Sequence, residues 1–271
     1  MRTRRLTGPT LGVLAAVALA VSGCTADDTA TPGVSASATG ATPGTPSSSG
    51  PADPAAAAAL GSAASALGNT SFKVTMTAGP GLKVTGLMDA PGGKGTAELV
   101  ATGTSTEITV KTLLVGQDLY VQVPGVTKAG TWTHVDVARL PEGGNVGLRP
   151  GQIDPADTAR LLTSTTDVRQ VDARSYEGTL DLTKAAGLTG IDKVTIESYG
   201  AAARNVPFTA GLDEQGRLSA LTIQLPPVNG QQSAPLEVLY TDYGIPVTAE
   251  VPPANQVIEA PDDLYATLGG R

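Results

Sequence analysis

Phe72-Lys73-Val74-Thr75-Met76-Thr77 alternates apolar and polar side chains without a break. A period of two puts Phe72, Val74 and Met76 on one face of a strand and Lys73, Thr75 and Thr77 on the other, the mark of a half-buried sheet. Leu82-Lys83-Val84-Thr85 repeats the pattern after the Gly79-Pro80-Gly81 turn, and Ala97 to Ala101 follows Pro91-Gly92-Gly93. Further strands are expected at Glu107 to Val115, Leu119 to Val123 and Trp132 to Val137. Regular spacing with short glycine-bearing connections argues for one antiparallel, meandering sheet.

Outward from that run the chain changes character twice. Asp53-Pro54 carries the N-cap and first-turn proline of a helix, followed by Ala55 to Leu67 and a Gly68-Asn69 stop, with Leu60, Ala64 and Leu67 on one face. Downstream, glycine-rich residues 141 to 150 interrupt the strands, and Asp154-Pro155 opens a second helix running to about Thr163. Strands resume at Val168 to Val171 and Tyr176 to Leu182, then at Phe208 to Leu212, Arg217 to Leu225, Leu236 to Tyr240 and Val247 to Val251. Between them, residues 183 to 203 read as a short helix and a strand at Lys193 to Glu197. No strict repeat is visible, which disfavours solenoids and propellers.

The amino-terminal end is of another kind. Arg2, Arg4 and Arg5 precede roughly ten apolar residues from Leu11, about half what a bilayer span needs, so residues 1–23 read as a secretory signal. It ends at Val21-Ser22-Gly23-Cys24, which holds the only cysteine of 271 residues and resembles the bacterial lipobox. That resemblance implies cleavage between Gly23 and Cys24, a diacylglycerol thioether on Cys24, and an amino terminus open to acylation. Residues 24–53 are Thr, Ser, Ala, Gly and Pro with almost nothing apolar, a disordered tether spanning about 30 Å and open to O-glycosylation. Residues 54–271 form a single domain.

Charge and chemistry narrow the function. The formal net charge is −7 and loses three arginines with the signal, so nucleic acid is not a partner by charge attraction. One cysteine allows no intramolecular disulfide. His134 is the sole histidine, which excludes a histidine-rich metal centre. Alternation sets it beside Trp132 and Asp136, yet no Gly-x-Ser-x-Gly elbow accompanies it, so a structural or surface histidine is the expectation. Asp27-Asp28 and Asp262-Asp263 read as solvating or helix-start pairs, and Gly143 to Gly147 lacks the Lys-Ser/Thr of a phosphate loop. No enzyme, cofactor or metal is expected.

The lipobox and tether, the strand run ending in Trp132-Thr133-His134-Val135-Asp136, then Tyr176-Glu177-Gly178-Thr179-Leu180-Asp181-Leu182 and Tyr240-Thr241-Asp242-Tyr243-Gly244-Ile245-Pro246-Val247, together resemble the LppX/LprG-type lipoproteins of actinobacteria. The resemblance covers roughly residues 53 to 268, with residues 183 to 206 departing from the short connection expected there. It implies an α+β fold of LolA-like type, a curved antiparallel sheet forming an unclosed half-barrel with a few helices on its concave face. It also implies a membrane-anchored envelope protein, held on the extracytoplasmic face through Cys24, that binds or transports an amphiphilic lipid. Any transporter that serves it is not named by the sequence. The expected cavity residues are Phe72, Val74, Met76, Val110, Val121, Phe208, Ile223 and Val238. Sheltering ten methylenes is worth about 8 kcal/mol gross. The alternative is an interaction or scaffold lipoprotein whose core is filled and holds no ligand.

Overall fold

The computed structural model describes residues 52–103, 107–125, 127–139, 148–185, 193–228, 230–262 and 265. The signal, the lipidation site at Gly23-Cys24 and nearly all of the tether lie outside the described residues. The fold is α+β: a curved twelve-stranded sheet that does not close into a barrel, with short helices.

Helix α1 (Pro54–Ser65) starts where the sequence places it, with the Asp53 carboxylate accepting from the Ala55 amide at 2.9 Å. It tightens into a 3-10 turn over Ala66–Asn69, and Ala56, Leu60, Ala63, Ala64 and Leu67 are buried. The first meander follows: β1 (Ser71–Ala78), β2 (Leu82–Asp89), β3 (Lys94–Thr102), β4 (Glu107–Val115), β5 (Asp118–Gln122) and β6 (Trp132–Asp136). The second comprises β7 (Thr165–Gln170), β8 (Ser175–Leu180), β9 (Val206–Leu212), β10 (Leu218–Ile223) and β11 (Leu236–Thr241). The two join at the centre, where β1 pairs antiparallel with β11, Met76 opposite Val238. The sheet order is therefore β12-β6-β5-β4-β3-β2-β1-β11-β10-β9-β8-β7, with β12 (Val257–Glu259) at one edge.

This order has a consequence for the connection between the meanders. Strand β6 lies next to one edge and β7 is the other edge, so the connection between them must traverse the width of the sheet, and residues 148–164 carry its described part. They do so over the apolar face: Leu148, Ile153, Ala156, Leu161 and Leu162 join the same buried cluster as Phe72, Val74 and Leu221. This crossover carries helix α2 (Thr158–Leu162), against which α1 packs; α1 also reaches β7 and β10. Helices and crossover together occupy the concave side, where a half-barrel needs cover.

Four expectations are corrected. The sheet is antiparallel except at β12, which pairs parallel to β6, Glu259 beside His134. The chain leaves β11 in mid-sheet and returns along the far edge in the direction of β6. The strand expected at Val247 to Val251 is absent; Pro246, Pro252 and Pro253 bracket it and cannot donate to a ladder. Lys193 to Glu197 is not a strand but part of helix α3 (Lys193–Ser198). There Ile196, Tyr199 and Ala203 are buried at helical spacing while Val194 is 75% exposed, so only half of the apparent alternation has a core to face. Finally, the Asp154-Pro155 cap closes a turn, and α2 begins only at Thr158 because Asp157 sits in the left-handed region at φ 46°.

Candidate ligand site

Residues directly opposite one another on paired strands share a face. The registers therefore trace a row across the concave side: Ala210, Leu221, Val238, Met76, Val84, Leu99 and Val110, from β9 to β4. A second row runs Phe72, Met88, Gly95, Leu114, Leu119 and Val135. Of the expected cavity residues, Phe72, Val74, Met76, Phe208, Ile223 and Val238 are buried in one contiguous cluster, none more than 8% exposed. Val121 packs on its margin, and Val110 is half-buried at the end of the first row. Phe72 alone among the eight lines the small cavity that opens at the rim of this face.

That cavity, about 210 Å³, lies between the Leu67-Gly68 turn after α1, Phe72, Ala90 beyond β2, and Ile153, Asp154 and Asp157 of the crossover. Asp154 is held there by three donors. Its carboxylate accepts from the Ala156 amide at 3.1 Å, the Thr158 amide at 2.9 Å and the Tyr240 hydroxyl at 2.8 Å. The Thr158 and Tyr240 hydroxyls are 2.5 Å apart. The residue as a whole is half-buried, yet its carboxylate is enclosed, and burial raises it above the ordinary carboxylate range against the pull of those hydrogen bonds. Burial and the charge of Asp154 push Tyr240 well up.

Asp157 is different. It is 7% exposed, and no donor among the described residues reaches its buried Oδ2. It occupies the cap position of α2 but makes no side-chain cap bond. Burial pushes it up to about 6, with Arg160 opposing and Asp154 adding to the shift.

The convex side carries a second polar group. His134 lies between strands, its Nδ1 2.8 Å from Glu259 Oε2 on β12 and its Nε2 2.9 Å from Asp118 Oδ1 on β5, with the Tyr120 ring at 5.1 Å. Only the imidazolium has two N–H groups to donate to both carboxylates. Burial draws His134 down, but the bonds to Glu259 and Asp118 outweigh it and hold the ring above its usual value. Asp136 takes no part: its carboxylate accepts from the Ala138 amide at 2.9 Å and its own amide donates to the Tyr265 hydroxyl at 3.0 Å. Also outside, a shallow cleft of about 620 Å³ runs between Glu98, Lys111, Gln122 and Lys128. Asp262 pairs with Arg139 at 2.6 Å, and Asp263 lies outside the described residues.

The sequence reading missed the Asp154–Thr158–Tyr240 network. Its signal was present: Tyr240 continues the inward alternation Leu236, Val238, and a hydroxyl on a core face needs a partner. Among the described residues no helix is long and apolar enough to cross a membrane, and no cluster of three or more metal-ligating side chains occurs. No family model matches the chain, and neither does any curated protein.

Proposed function

We propose that this is a lipid-anchored envelope protein, of the LolA-like and LppX/LprG kind its sequence resembles, that holds the acyl part of an amphiphilic lipid against the concave face of its half-barrel. One observation carries this reading: the apolar row from Leu221 to Val110 is sealed at its β10 end and half-buried at its β4 end. An apolar surface that continues beyond its cover is where an acyl chain gains most by docking, at about 0.8 kcal/mol per buried methylene. The cover is made of short helices and a strap and not of a second sheet, so it can shift without unpairing strands. Anchoring through Cys24 keeps the domain beside its lipid source, and a chain or two in addition to the first makes that attachment durable.

A second reading is favoured by the packing itself. Val74, Leu221, Ile223 and Val238 are each at most 1% exposed and belong to one buried cluster, as in a domain whose interior is its core. On that reading the protein is a non-enzymatic interaction or scaffold module. Native purification of the mature domain followed by lipid mass spectrometry separates the two. Co-purifying acyl lipid that is lost in Val110→Arg, with folding intact by circular dichroism, supports the carrier. Protein that is repeatedly lipid-free and takes up no fluorescent fatty-acyl probe sinks it.

A further inference from the structure

Residues 245–256 join β11 to β12, and apart from a 3-10 turn at Ala254–Gln256 they form neither helix nor strand. Both ends are pinned. The Gly244 amide donates to the Ser71 carbonyl of β1 at 2.8 Å, the Ser71 hydroxyl donates to the Ile245 carbonyl at 2.6 Å, and Val257 lies beside Trp132 of β6. The registers from β1 to β6 put Asp136 level with Ser71. The segment must therefore move sideways from β1 to β6, roughly 24 Å, and along the strands from Asp136 back to Trp132, roughly 13 Å. The diagonal is about 30 Å, which the segment spans with some slack at about 3.3 Å for each residue.

Leu113 of β4 and Tyr120 of β5 stand on that diagonal, opposite one another in register and in one row with Lys73 and His134 on the convex side. They are only 4% and 7% exposed, yet neither belongs to the concave cluster. Val247, in the connecting segment, is buried and also lies outside that cluster, and Pro252 is buried too. Buried side chains on the outer face and a chain that has to cross the sheet account for each other. The middle of that chain is held by packing alone. Among the described residues no hydrogen bond or ion pair reaches 246–252, and Pro246 and Pro252 have no N–H to give. Pro246, Thr248, Glu250 and Val251 are exposed. A segment with two buried anchors and no ladder opens far more readily than the strands beneath it, which are paired on both sides.

We propose that residues 246–256 are a hinged flap over an outer apolar patch made by Leu113 and Tyr120, with Val247 and Pro252 as the anchors that close it. The flap lifts as one unit between its pins at Ser71 and β12 while the sheet stays folded. Lifting bares two large side chains on the outside of the half-barrel. The device stands apart from the lipid reading, because the acyl-binding row lies on the other face of the sheet.

Thiol labelling tests this, since Cys24 is the only cysteine and the mature protein carrying Cys24→Ser has no thiol of its own. Val247→Cys, Leu113→Cys, the sealed concave control Val238→Cys and the exposed control Thr248→Cys are each treated with dithionitrobenzoate under native conditions. Val247→Cys and Leu113→Cys should react at matching rates, about a hundredfold faster than Val238→Cys and at least about tenfold slower than Thr248→Cys. Pro252→Ala, which removes an anchor, should speed Val247→Cys by about fivefold or more and leave Val238→Cys unchanged. Val247→Cys is close in size to the native side chain and carries the test alone if Leu113→Cys does not fold. Labelling of Val247→Cys as slow as that of Val238→Cys, or an equal gain at both sites from Pro252→Ala, overturns the proposal, because opening would then be global unfolding. Labelling as fast as that of Thr248→Cys overturns it as well, because no closed state would exist.

Discussion

Leu221 and Leu99 stand in one row of one sheet, point to the same face and sit in equally regular strands, yet Leu221 is fully buried and Leu99 only half so. What separates them is what lies above. Helix α1 touches β10 and β7, and the crossover closes over Tyr240 of β11. Along this row β3 and β4 have less cover, although in the second row Leu114, Leu119 and Val135 of β4, β5 and β6 are fully buried. Face is thus a property of the strand, whereas depth is a property of the strap that crosses it.

The largest expected effect tests this directly. Leu221→Ala removes side-chain atoms from a sealed site and should cost about 3 kcal/mol, whereas Leu99→Ala should cost under about 1 kcal/mol because water and neighbouring side chains already share that site. Urea midpoints at constant slope measure both. Equal costs would mean that the β3–β4 end is sealed as tightly as β10, and the acyl-binding reading would lose its foothold.

The same contrast explains what was legible in the sequence. Alternation at Phe72, Val74 and Met76 reports face, and all three face inward as read. Asp53-Pro54 reports a cap that needs only local geometry, and it is found. Strand order was not legible, because pairing β1 with β11 and setting β6 and β7 near opposite edges are long-range choices that leave no local periodicity. Cover follows from order, so Val110 and Val238 look alike in sequence and differ in depth. Asp154-Pro155 was read by the same local rule as Asp53-Pro54, but its carboxylate also serves Tyr240, more than eighty positions away.

Asp157 sharpens the comparison from the strap's side. Its carboxyl holds a proton more tightly in the folded chain, at about 6, than its ordinary value of 3.8. The folded state is therefore favoured below both values, and that advantage is lost as the pH rises from about 4 to about 6. The full difference is on the order of 3 kcal/mol. Asp157→Asn removes the ionisation and should gain about 1 to 2 kcal/mol at pH 7, with the two proteins converging near pH 4. A variant less stable than wild type at pH 7 would show that the carboxylate is part of what pins the strap, and the sealed half would owe its depth to charge as well as to packing.

The smallest effect belongs to the far edge, where β12 lies beside β6 with three residues of pairing. His134 bridges Asp118 and Glu259, and its own side chain is 18% exposed while those of its partners are 53% and 77% exposed. Solvent screens such a pair, so the contribution should stay under about 1 kcal/mol. Because the folded imidazole is raised above 6.5, that contribution is fully present below pH 6.5 and is lost as the pH climbs through the higher folded value. Amide exchange at Val257 to Ala260 should accelerate over that interval, after correction for the intrinsic pH dependence of exchange, and His134→Gln should abolish the inflection. Exchange that is flat across the interval in the wild type would assign the hold on β12 to its backbone pairing and to the Ala260 amide bond to the His134 carbonyl at 2.9 Å. The open edge would then be governed, like the sealed half, by what covers it and not by a proton.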